Sequence, residues 1–249
     1  MARHIAVAGK GGTGKTTFAA LLVRYLVLNH KGSILAVDAD PNANLNEALG
    51  VKVDTVIADI LDATKNPRAI PAGMSKDMFI QYQLAQALVE TRSFDLLTMG
   101  RPQGPGCYCY PNDLLRKHLE TLSANYDYMV IDSEAGLEHI SRRVIQNVGV
   151  LFVISDASVR GIRSAGRVRE LVRELQLDIP HMYLVVTKTT GDPGPLREEI
   201  ERTGLPLAGT IPYDEQVVAF DTYGKPLFDL PADAPAVQAV NTILSRCRI

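Results

Sequence analysis

Short, almost unbroken apolar runs recur along the chain at residues 5–8, 33–37, 95–99, 128–131, 150–154, 183–187 and 207–211. A strand wetted on one face alternates apolar and polar positions, whereas a strand covered on both faces does not. These runs therefore predict buried parallel strands. Between them, apolar residues return at helical spacing over residues 17–28, 112–124, 138–147, 160–176 and 194–203. In the first of these segments Phe18, Leu21, Leu22, Tyr25 and Leu26 fall on one face. Strands alternating with helices predict an α/β fold: a doubly wound, mostly parallel sheet of about seven or eight strands with helices on both faces. The Gly- and Pro-rich stretches at 191–195 and 229–235 are too short to link domains, so residues 1–249 read as one domain. Residues 236–248 place Val237, Val240, Ile243 and Leu244 on one helical face. Their basic residues, Arg246 and Arg248, sit only at the end, which favours a docked terminal helix over a membrane-binding one.

Composition narrows this little. Of 249 residues, 46% are hydrophobic and 22% charged, an ordinary globular balance. The net charge of −2 offers no general basic surface, so no nucleic-acid partner is expected. No apolar run reaches the ~18 residues of a spanning helix, and no stable membrane attachment is expected. The first strand begins almost at Met1, leaving no room for a signal peptide. Three cysteines do not make a disulfide framework. The expected location is the cytoplasm, with reduced thiols.

The chemistry concentrates at Gly9, Lys10, Gly11, Gly12, Thr13, Gly14, Lys15, Thr16 and Thr17, which contain the pattern Gly-x-x-x-x-Gly-Lys-Thr. A bound polyphosphate needs converging N–H donors and a cation. Glycines let backbone close around phosphates without a Cβ in the way. Lys15 supplies charge to the outer phosphates, and the Thr16 hydroxyl suits Mg²⁺. A strand before the loop and a helix after it aim a helix N-terminus at the anion.

Three carboxylates join this loop. Asp38 and Asp40 end the second strand, at the sheet edge where ligands bind in such folds. Asp38 suits the water shell of Mg²⁺, and Asp40 suits orienting or deprotonating an attacking water; otherwise both are caps or turn residues. Residues 128–132 form an apolar strand ending in Asp132, the Walker B form, whose acid lies near the metal. Gly136, four residues on, can present an N–H to a γ-phosphate. Two later strands end at the sheet edge in Thr187-Lys188 and Pro212-Tyr213, and both ends resemble the adenine-contacting loops of deviant Walker A ATPases. No clear guanine motif follows Lys188, so ATP is preferred to GTP.

Cys107 and Cys109 lie in a loop rich in Gly and Pro. Two thiols are half of a closed tetrahedral Zn²⁺ or Ni²⁺ site, and a symmetric dimer would complete four. Buried packing cysteines and a redox dithiol are the other readings.

Residues 10–16, with Asp38-x-Asp40-Pro41, resemble the deviant Walker A class of MinD, ParA and the nitrogenase iron protein. That resemblance implies an ATP-sandwiching homodimer in which Lys10 reaches the partner's nucleotide, making Lys10, Lys15 and Asp40 the catalytic residues. Met99-Gly100-Arg101-Pro102, the Cys107-Tyr108-Cys109 loop and the run from Asp132 to His139 further resemble the CooC-type ATPases. This implies a metallochaperone that assists nickel insertion into carbon monoxide dehydrogenase, its client, and binds Ni²⁺ or Zn²⁺ at Cys107 and Cys109. The alternatives are a partition or positioning ATPase of the MinD/ParA type, and an electron-transfer ATPase with an iron–sulfur cluster between subunits.

Overall fold

The computed structural model describes residues 2–63, 70–101, 119–134, 148–192 and 194–249. Eight strands are formed by β1 (Arg3–Gly9), β2 (Ile34–Asp38), β3 (Val89–Glu90), β4 (Asp95–Thr98), β5 (Tyr128–Asp132), β6 (Val150–Asp156), β7 (His181–Thr189) and β8 (Leu207–Pro212). They lie in the order β3-β4-β2-β5-β1-β6-β7-β8. All neighbours run parallel except the short edge strand β3, which is antiparallel to β4.

Alternation along β1 explains the double winding. Ile5 and Val7 point into one core with Phe18 and Leu22 of α1 (Lys15–Leu28) and Val240 of α8 (Pro235–Arg246). Ala6 and Ala8 point into the other, with Ile162 of α5 (Val159–Glu174) and Ile200 of α6 (Arg197–Thr203). Both faces of the strand are dry, so the sequence shows no alternation. Helix α1 is apolar nearly all round because α8 and α2 (Leu45–Leu49) cover the side away from the sheet.

The seven anticipated strands are all present, and so are helices matching 17–28, 160–176 and the C-terminal segment. Val237, Val240, Ile243 and Leu244 are buried against the body, as a docked helix requires. The segment 194–203 divides into a 3₁₀ turn at Gly194–Leu196 and α6. Of the segment 112–124 only the end is described, and 138–147 lies outside the described residues. The hydrophobic pattern did not anticipate β3, α2, α3 (Ile57–Ala63), α4 (Lys76–Ala87) or α7 (Glu215–Thr222). α2 is about one turn long, and α7 has no fully buried residue to impose a period.

Candidate functional site

The loop between β1 and α1 is shaped by close approach. A Cβ at Gly9 would stand 2.2 Å from the carbonyl oxygen of Ile154 on β6, at a φ of +149°. Gly14 caps α1 in the left-handed region (φ 86°) and lets the chain turn straight into the helix. Among the described residues, the N–H groups of Thr13, Gly14, Lys15, Thr16 and Thr17 have no hydrogen-bond partner. They open a fourteen-residue helix, so unpaired donors and the helix dipole favour an anion together. Lys15 is buried beside them. Burial lowers its pKa, and the nearby charges of Asp132, Asp40 and Glu134 oppose that shift. The Lys10 side chain is exposed, while its carbonyl accepts the Thr13 hydroxyl at 2.7 Å.

Beside the loop runs an acidic row. Thr98, Asp38 and Asp132 are register neighbours on β4, β2 and β5, so their side chains share the face that carries α1. The Thr16 hydroxyl donates to Asp132 Oδ2 at 2.6 Å. Asp38 accepts the N–H groups of Asp40 at 3.1 Å and Leu45 at 2.9 Å. Asp132 Oδ1 is buried without a hydrogen-bond partner. Burial, then the neighbouring Asp132, pushes the Asp38 pKa up to about 7. Burial likewise raises Asp132 to about 6, against the Thr16 hydrogen bond and Lys15. Two desolvated carboxylates, one of them with an orphaned oxygen, and a hydroxyl form a donor set that a hard, oxygen-seeking divalent cation fits. Asp40 is half-buried and accepts the N–H and Nδ2 of Asn42 at 2.9 and 3.0 Å.

Thr187, Lys188, Pro212 and Tyr213 lie together at the sheet edge. With Thr13, Thr17, Val217 and Val218 they line an apolar cavity of about 90 Å³ on the flank of the loop. Sequence reasoning missed the α7 residues in this wall. Their signal was the Asp214-Glu215 pair that follows Tyr213: Asp214 caps α7 by accepting the Gln216 N–H at 2.9 Å. A second cavity of about 350 Å³ opens on the other side of Thr17, lined by Thr16, Asn44, Glu47, Asp221 and Lys225 among others. Gly136, Cys107 and Cys109 lie outside the described residues.

Residues 4–227 match the CobQ/CobB/MinD/ParA nucleotide-binding domain family. The chain is 43% identical to an uncharacterized ATP-binding protein of Methanocaldococcus jannaschii, over 97% of each chain. It is 31% identical to the carbon monoxide dehydrogenase accessory protein CooC of Rhodospirillum rubrum, covering 91% of this chain and 89% of that one. It is 25% identical to the septum site-determining protein MinD of Bacillus subtilis, covering 90% and 80%. Among solved structures, the cell division ATPase MinD of Pyrococcus furiosus superposes with a TM-score of 0.75 at 21% identity, over 100% and 99% of the chains. A provisionally named plasmid partition protein of Borrelia burgdorferi superposes with a TM-score of 0.68 at 19% identity, over 100% and 99%.

These findings correct three expectations. The nickel metallochaperone reading does not stand, because relatives spread across MinD and ParA ATPases and do not single out the CooC type. Ni²⁺ or Zn²⁺ as a cofactor falls with it. Among the described residues no cluster of three or more His, Cys, Asp or Glu side chains is placed to hold a metal. The one described cysteine, Cys247, is packed in the core, so the described residues assemble no set of soft thiolate donors. The partner expectation is also overturned: the chain resembles septum site-determining MinD in sequence and shares its fold with a plasmid partition protein, so both the carbon monoxide dehydrogenase client and the exclusion of nucleic acid are withdrawn. Among the described residues no helix is long and apolar enough to cross a membrane.

Proposed function

The chain belongs to the CobQ/CobB/MinD/ParA nucleotide-binding domain family, and from that premise we propose that it is a cytoplasmic, single-domain P-loop ATPase of the partition or positioning type. The observation that carries the ATPase reading is the fan of unpaired N–H groups at residues 13–17, set against the buried row of Asp38 and Asp132; the likeness to septum site-determining MinD supports the positioning role. One group of donors suits a polyphosphate, and the other suits its metal.

In this reading Lys15 and the N–H groups bind the β- and γ-phosphates. Thr16, Asp38 and Asp132 hold Mg²⁺, which when bound neutralises phosphate charge and fixes the phosphate geometry. Asp40, held by Asn42, orients the attacking water. Lys10, at the exposed rim of the loop, supplies further positive charge to the phosphates. Thr187, Lys188, Pro212 and Tyr213 flank the adenine. Within the family, 31% identity makes the CooC branch a near sequence relative; only the ATPase chemistry common to the family is carried over from it.

Two measurements test this. Mg²⁺-dependent ATP hydrolysis by the purified chain should disappear in Lys15→Ala. Co-sedimentation with duplex DNA and with anionic vesicles, in ATP and in ADP, tests the positioning role. Nucleotide-dependent binding to one of these surfaces is expected, and binding to neither in either state rejects the partition or positioning assignment while leaving the ATPase intact.

A further inference from the structure

The end of β7 grips the phosphate loop from behind. The Lys188 ammonium donates to the Gly12 carbonyl at 2.9 Å. The Thr187 hydroxyl has a single proton; its nearer acceptor is the Thr13 carbonyl at 2.7 Å, with the Ser155 carbonyl at 3.1 Å. Two successive carbonyls of the loop are thus held by two successive residues of one strand.

The backbone is bent to make this possible. The β7–β8 register shifts between Val186 and Thr189. Within that irregularity Lys188 adopts a left-handed conformation with φ 55°. Such a conformation is unfavourable for a non-glycine residue and persists where surrounding contacts enforce it. A strand irregularity that re-aims a side chain is a recurrent device beside active sites.

Peptide geometry gives the contact its consequence. No described peptide bond is cis, and in a trans peptide the C=O and the following N–H point in opposite directions. Holding the Gly12 carbonyl toward β7 turns the Thr13 N–H away from it. Holding the Thr13 carbonyl does the same for the Gly14 N–H. Both N–H groups have no partner among the described residues, so they remain free for an anion.

We propose that Lys188 and Thr187 are positioning residues that pre-set the phosphate-binding N–H groups of Thr13 and Gly14 by holding the carbonyls behind them. The proposal rests on the nucleotide-binding reading above and adds to it. These two residues act on phosphate affinity, through the loop, as well as lining the base cavity. Donors fixed before binding cost nothing to orient when the ligand arrives.

Inorganic tripolyphosphate separates the two roles, because it has phosphates and no base. Isothermal titration of the full chain with tripolyphosphate and with ATP, both with Mg²⁺, is the experiment. Lys188→Met keeps the aliphatic stem at an exposed position and removes the donor. It should weaken both ligands about tenfold, the worth of one charge-assisted hydrogen bond. Thr187→Val should do likewise, and Thr187→Ser, which restores the hydroxyl, should recover wild-type affinity for both. Unchanged tripolyphosphate affinity in Lys188→Met and Thr187→Val overturns the proposal, and a loss confined to ATP reassigns both residues to the base alone. A wild-type chain that binds neither ligand removes the nucleotide reading itself.

Discussion

Asp38 and Asp132 face each other in register across β2 and β5, both buried at the carboxyl edge of the sheet. The pair makes the ligand-free protein pH-sensitive. Burial first, and for Asp38 the charge of Asp132 second, raises their pKa values to about 7 and about 6, from an ordinary 3.8. Between pH 4 and 7 the native state therefore holds more protons here than the unfolded chain. Stability from these groups is present at the acid end, falls as pH rises through the window, and is lost above it. Urea unfolding without Mg²⁺ or nucleotide should show a decline between pH 4 and 7 on the order of a few kcal/mol. The decline should shrink in Asp38→Asn. A slope that is the same in that variant removes Asp38 as its source.

Lys15 should be the most sensitive position for nucleotide binding. It is buried at the mouth of the N–H fan, its charge held by Asp132, Asp40 and Glu134 against desolvation. Lys15→Met keeps the stem and removes the charge. ATP affinity should fall by about a hundredfold or more, since a phosphate contact in a shielded site is worth roughly 3 kcal/mol. Titration calorimetry reads this directly. A loss below fivefold would place the phosphates elsewhere.

What was legible in the sequence follows from what leaves a mark in one dimension. The inner strands announced themselves because both faces are dry, so Ile5, Ala6, Val7 and Ala8 are apolar in succession. The loop at 9–17 was legible because Gly9 and Gly14 meet backbone demands that other residues meet only at a cost. α7 was not, because it lies over a cavity and carries no fully buried residue. The contact from Lys188 to Gly12 spans 176 positions and depends on a register shift, which no local pattern encodes. The cysteine loop misled for a different reason. Two soft donors fix a ligand type, but the other half of the site was supplied by an assumed symmetric dimer and the client by a family resemblance, and the relatives do not single out that family.

Gly9 and Gly14 should differ sharply in what alanine costs. At Gly9 the new Cβ meets a backbone oxygen at 2.2 Å, which β1 and β6 can relieve only by separating. Gly9→Ala should cost about 3 kcal/mol of stability through overpacking and lower the thermal midpoint by several degrees. At Gly14 a Cβ meets nothing within 4 Å, and only the left-handed φ of 86° is at issue. Gly14→Ala should cost about 1 kcal/mol and leave the fold intact. Differential scanning calorimetry of the two variants makes the comparison, and equal midpoints contradict it.

Asp214 offers a way to loosen the base cavity without touching the phosphate loop. Its carboxylate is buried and receives two N–H groups. One comes from Gln216 in the first turn of α7, at 2.9 Å. The other comes from Ala236 in the first turn of α8, at 2.8 Å. One side chain thus caps two helices and fixes α7 against the docked C-terminal helix, which is what holds Val217 and Val218 over the cavity. Removing the carboxylate leaves two buried donors unsatisfied. Asp214→Ala should cost about 2 kcal/mol of stability. α7 has no fully buried residue of its own, so the loss should fall on its placement first. Binding should then divide by ligand: ATP weakens several-fold as the cavity wall loosens, while tripolyphosphate, which touches only the loop, binds as in the wild type. That pattern is the reverse of the one expected for Lys188→Met, where both ligands weaken together. Equal weakening of ATP and tripolyphosphate in Asp214→Ala would show that α7 does not form the wall of the base site.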